Sequence, residues 1–150
     1  MNWKVKAFVQ NAISLLPNAI GSEVYYFFQK NFGGLKEFKC DVGIKAGVTI
    51  WEKILEQSQS PLNKVFFELG TGRAPMLPLS LWLMGAKKVI TVDLHPYLKE
   101  EIFYDCVLLL LENLDRTRKI FNGKILEERL NILYEIKARS IEFDSIGIIY

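Results

Sequence analysis

The chain has 150 residues, half of them hydrophobic, which suits one domain with a substantial core. Its 19 basic and 17 acidic residues leave a net charge of +2 without a long basic block, so the charge pattern gives no support for nucleic-acid binding. Cys40 and Cys106 form no C-x-x-C pair, hence no zinc site and no disulfide framework is expected, and a reducing, cytoplasmic setting fits.

At the N-terminus, Lys4 and Lys6 precede an apolar segment in the manner of a signal peptide, but Gln10, Asn11 and Ser14 break it with helical spacing. Val5, Phe8, Val9, Ala12, Leu15 and Leu16 predict an amphipathic helix that Pro17 ends. A second helix is expected from Ser22, a good N-cap, to about Asn31, stopped by Gly33-Gly34. A third begins near Asp41, with Ile44, Val48, Trp51 and Leu55 as its buried stripe and Gly43 and Gly47 weakening it. The polar stretch Ser58 to Asn63, with Pro61, reads as a loop.

The pattern then changes. Lys64 to Leu69 is a β-rich run with little alternation, as for a strand buried on both faces. Gly70 to Gly72 makes a tight turn, and Pro75 to Met84 an apolar helix closed by Gly85. Lys88 to Val92 is a second strand, ending at Asp93. One long helix is predicted from about Tyr97 to Lys119, another from Lys124 to about Arg139, and a third strand from Ile146 to Tyr150. The apolar stretch Val65 to Ala86 is interrupted by Glu68, Arg73 and two prolines, and falls short of the roughly 20 clean residues of a membrane span. This order predicts an α/β fold with a parallel sheet of about three strands. Residues 1–60 are expected to form an N-terminal helical cap, and residues 61–150 the sheet domain.

The chemistry concentrates in Glu68-Leu-Gly-Thr-Gly-Arg-Ala-Pro75. A glycine-rich turn leaves a strand and enters a helix, where glycine allows positive φ and close ligand approach and the helix start offers free N–H groups. Asp93 ends the next strand about 20 residues on, where a ribose-binding carboxylate is expected. A dinucleotide fingerprint wants a third glycine at the position of Pro75, so that pattern is broken. A carboxylate at Glu68 would repel a pyrophosphate but suits a cationic ligand. S-adenosylmethionine carries an ammonium and a sulfonium and no phosphate.

Glu68-x-Gly70-x-Gly72, followed by Gly85-Ala-Lys-Lys-Val-Ile-Thr-Val-Asp93, resembles motifs I and II of class I S-adenosylmethionine-dependent methyltransferases. The family's frequent third glycine is replaced by Ala74. The run from Gly70 through Pro75 and Pro78 resembles a bacterial branch of small-molecule methyltransferases; Leu16-Pro17 and Tyr26 to Lys30 fit that branch's leading segment less specifically. The resemblance implies a Rossmann-like sheet and transfer of a methyl group to a small-molecule acceptor. It assigns the methionine moiety to the turn Gly70, Thr71 and Gly72, the ribose hydroxyls to Asp93, and adenine packing to Leu94, with Glu68 and Leu69 also expected at the cofactor site. Arg73, beside a helix N-terminus, could orient the cofactor carboxylate or stand in solvent. His95, the only histidine, could touch the cofactor or be a solvated loop residue.

Each feature also has a plainer reading. Glu68 could cap the following helix, and Asp93 could be a turn residue before His95-Pro96. Tyr25 to Phe28 fits core packing better than a substrate pocket. The family places acceptor and base residues after its fourth strand, and this chain reaches what reads as the third. It is therefore expected to be the cofactor-binding half of an incomplete sheet, completed by further chain or by an oligomer. The alternatives are a nicotinamide-dependent oxidoreductase domain and a catalytically inactive cofactor-binding module.

Overall fold

The computed structural model describes residues 3–32, 40–72, 74–93, 98–138 and 146–150. The chain divides into two compact units, residues 1–38 and 39–150.

The second unit holds a parallel three-stranded sheet. Its strands are β1 (Val65–Leu69), β2 (Lys88–Val92) and β3 (Ile148–Ile149), in the order β1-β2-β3. The register runs Val65↔Lys88 to Leu69↔Val92, and Val89↔Ile148 with Ile90↔Ile149. The expected parallel pairing is therefore present. The third strand is shorter than expected, because Gly147 at φ +80° keeps Ile146-Gly147 in a turn.

Five described helices accompany the sheet: α3 (Cys40–Glu56), α4 (Met76–Leu83), α5 (Glu100–Glu112), α6 (Leu114–Phe121) and α7 (Glu127–Ala138). Helix α4 is apolar all round and almost wholly buried, as a central helix must be. It lies against β2 and β3 and packs closely on α3. Two glycines set that closeness. A Cβ at Gly43 would come within 2.5 Å of Met76 Cβ, and one at Gly47 would overlap Ser80 Oγ. Gly43 and Gly47, which weaken α3 by propensity, are thus what lets it pack. Helix α3, expected within a cap of residues 1–60, contacts α4, α5 and α6 and belongs to the unit of the sheet.

The long helix expected to run to Lys119 is two. Asn113 leaves the helical region at φ −108°, ψ 34°, and its amide donates to Leu109 O at 2.9 Å. A short amide that bonds the preceding turn competes with the backbone ladder and favours a break there. Beyond it, Asn122 closes α6 in the left-handed conformation at φ 48°. Helix α7 buries Leu130, Leu133 and Ile136. Its Arg129 donates to the carbonyls of Trp82 and Ala86 and lies 5.2 Å from the Trp82 ring centroid, tying α7 to the end of α4.

The two faces of the sheet differ. Phe66, Val89, Thr91 and Ile148 face the helices, and Phe66 stacks on Trp51 of α3 with centroids 6.1 Å apart. On the other face Val65, Phe67 and Leu69 are 57%, 64% and 77% exposed, and Val92 joins them. The expectation that β1 is buried on both faces is corrected here. Both crossovers advance the same way across the sheet, and crossovers of one hand then lay their helices on one side.

The first unit is a helix pair, α1 (Trp3–Ser14) and α2 (Asn18–Phe32). Helix α2 starts four residues before the expected Ser22, because Ile20 and Gly21 donate to Pro17 O. Gly21 is buried, and a Cβ there would meet Ile13 O at 3.3 Å, so it allows the two helices to meet. Among the described residues no helix is long and apolar enough to cross a membrane.

Candidate functional site

The carboxyl ends of β1 and β2 carry the site. The Gly70 N–H donates to Val92 O at 2.8 Å, which extends the strand pairing by one bond into the turn. Gly70 and Gly72 then take φ values of +84° and +68°. These positive angles are what glycine supplies cheaply and other residues do not. Among the described residues nothing beyond the chain neighbours lies within 4 Å of a Cβ built at either position, so no described side chain covers the turn.

Asp93 braces this turn. The Gly72 N–H donates to Asp93 Oδ2 at 2.7 Å, linking the turn after β1 to the end of β2. Glu68 is half-buried and sits beside Thr91, its register partner on β2. Thr91 Oγ1 donates to Glu68 Oε2 at 2.6 Å. Thr71, buried in the turn, reaches back so that its Oγ1 bonds that of Thr91, whose residue is fully buried. Burial pushes the Glu68 carboxyl above its ordinary value, the Thr91 hydrogen bond works against that, and the nearby Asp93 charge adds to it.

The structure therefore brings together Glu68, Gly70, Thr71, Gly72 and Asp93 from the sequence-predicted set. The Leu69 side chain alternates onto the bare face, away from Glu68. Arg73, Leu94 and His95 lie outside the described residues. The sequence reading missed Thr91. It enters the site through the strand register, which sets position 68 opposite position 91 and which the amino-acid pattern does not mark.

Chemically, the arrangement offers two carboxylates flanking an open glycine turn. It is acidic where a phosphate-binding turn would be donor-rich, and one of its turn N–H groups is already engaged by Asp93. Comparison with known protein families, with curated proteins and with solved structures finds no match to this chain.

Proposed function

We propose that this chain binds S-adenosylmethionine on a Rossmann-like sheet and supplies the cofactor-binding half of a methyltransferase acting on a small-molecule acceptor. The observation that carries the reading is the open Gly70–Gly72 turn at the ends of parallel strands, flanked by the carboxylates of Glu68 and Asp93. In open α/β sheets, ligands bind outside the carboxyl ends of the strands. The residues present fit the cofactor: no described side chain covers the glycines, so a ligand can come close to the backbone, and the two carboxylates beside the turn suit a cation.

Glu68 would lie toward the charged methionine end and Asp93 toward the ribose hydroxyls. The bound cofactor supplies a methyl group already activated by a sulfonium. What the chain's own residues must do is hold that ligand in one orientation and keep water from it. The Gly72 N–H donates to one oxygen of the Asp93 carboxylate, which fixes the orientation of the group.

A nicotinamide dinucleotide is the competing ligand. It is disfavoured by Pro75 at the third glycine position, by the Glu68 carboxylate, and by the Gly72 N–H being spent on Asp93. Calorimetry on the full chain tests the choice. Binding of S-adenosylhomocysteine with none of NAD is expected; preference for NAD would move the protein to the oxidoreductase class. Affinity without turnover, even with candidate acceptors supplied, would identify an inactive binding module.

A further inference from the structure

We propose that Thr91 is a positioning residue of this site, which with Thr71 forms a directed hydroxyl chain that fixes the Glu68 carboxylate and seats the glycine turn. The inference rests on the cofactor reading above and adds to it a residue to which the resemblance assigns no role. A threonine hydroxyl has one proton to give and lone pairs to receive. Thr91 spends its proton on Glu68 Oε2. The proton between the two hydroxyls therefore comes from Thr71. The direction is Thr71 to Thr91 to Glu68, and it ends on a carboxylate oxygen that must accept.

This arrangement joins three places in the chain. Glu68 lies on β1, Thr91 on β2, and Thr71 in the turn that follows β1. Both hydroxyls are buried, so water cannot readily replace either partner. The side chain of Glu68 thus has its rotamer chosen from below, while the turn is drawn down by Thr71 and braced by the Gly72–Asp93 bond. A valine at position 91 would keep the β-branched shape that suits the strand and remove only the hydroxyl. Glu68 Oε2 would then lose its donor inside a partly desolvated site, and the carboxylate would be free to rotate.

The experiment measures S-adenosylhomocysteine affinity by calorimetry on the full chain, with thermal melts run alongside. Thr91→Val is expected to weaken binding about tenfold, the scale of one hydrogen bond to a charged group. Thr91→Ser restores the hydroxyl and should return the affinity to within about threefold of the unsubstituted chain, an outcome that loss of packing alone does not produce. Thr71→Val removes the head of the chain and leaves the strand untouched, so it serves if Thr91→Val melts too early to measure. It should weaken binding about threefold, because the Thr91–Glu68 bond survives. Unsubstituted binding with unchanged affinity in the folded valine variants overturns the positioning role and leaves the cofactor reading standing. Equal weakening by Thr91→Ser and Thr91→Val overturns it too, since packing would then account for both. Absence of binding by the unsubstituted chain overturns the cofactor reading and the positioning role with it.

Discussion

Glu68 sits in a place that costs stability. Its carboxyl is pushed above the ordinary value of 4.5, first by burial and then by the Asp93 charge, against the Thr91 hydrogen bond. A raised acid holds its proton more tightly in the folded chain than in the unfolded one. Stability on that account falls as pH rises from 4.5 through the raised value, and the loss is complete above it. Glu68→Gln keeps an acceptor for Thr91 and cannot ionise. It should raise the melting temperature at neutral pH and leave it unchanged below 4.5, while weakening S-adenosylhomocysteine binding at neutral pH. An equal shift of the melt at both pH values would show that ionisation is not the cause. Asp93 is the second such residue. Asp93→Ala removes a ligand acceptor and the brace on Gly72 together, and should weaken binding about ten- to hundredfold, the equivalent of roughly 1.5–3 kcal/mol. Asp93→Asn retains an oxygen for the Gly72 N–H and should keep part of the affinity. Unchanged affinity in a folded Asp93→Ala variant would remove the ribose assignment. Both carboxylates were legible as strand-end residues, Glu68 from the adjoining glycine turn and Asp93 from its spacing of about 20 residues beyond it. Thr91 was not, because a threonine in a β-rich run is an ordinary strand residue until pairing sets it opposite Glu68.

At the scale of elements, legibility followed how local the determining signal is. Strands β1 and β2 and helix α4 stand where short apolar runs bounded by glycine and proline place them. The break between α5 and α6 was invisible because apolar periodicity continues across it; it lies at Asn113, whose backbone leaves the helical region while its side-chain amide bonds Leu109 O. Helix α3 is the instructive case. Its glycines lower propensity by roughly 1 kcal/mol each, yet the helix forms because they admit α4 at close range. Packing outweighs propensity here, and single substitutions can separate the two. At Gly43 the atom in the way is Met76 Cβ, which is fixed to the backbone; Gly43→Ala is expected to cost about 1–3 kcal/mol in overpacking, less the helix propensity gained. At Gly47 the nearest atom is the Ser80 hydroxyl oxygen, which can rotate or be deleted. Ser80→Ala should therefore rescue part of the Gly47→Ala loss and none of the Gly43→Ala loss. Thermal melts of the two double-mutant cycles read this directly. A stabilising Gly43→Ala would mean that α3 and α4 do not meet at this contact.

For the whole molecule, the decisive feature is the unequal sheet. Parallel sheets are ordinarily covered on both faces, because each crossover deposits a helix and the winding direction reverses somewhere along the sheet. Here the described crossovers do not reverse, and Val65, Phe67, Leu69 and Val92 form an exposed apolar surface at β1, the edge strand among the described residues. The sequence could not show this. The run Val-Phe-Phe-Glu-Leu has no polar alternation, so it reads as buried on both sides, and which side carries helices depends on the handedness of connections rather than on composition. Substitutions on the two faces should behave oppositely. Val65→Lys and Phe67→Lys place a charge on side chains that are already 57% and 64% exposed, and each should change stability by no more than about 0.5 kcal/mol. Both should also reduce the binding of an apolar fluorescent dye, because they interrupt the patch that dye would occupy. Val89→Lys, one register step away on the helix-covered face, buries an unpaired ammonium and should unfold the chain. Circular dichroism with dye titration distinguishes the cases. A Phe67→Lys variant as unfolded as Val89→Lys would show that the β1 face is covered after all, and the single direction of winding inferred from the β1-β2-β3 order would then be wrong.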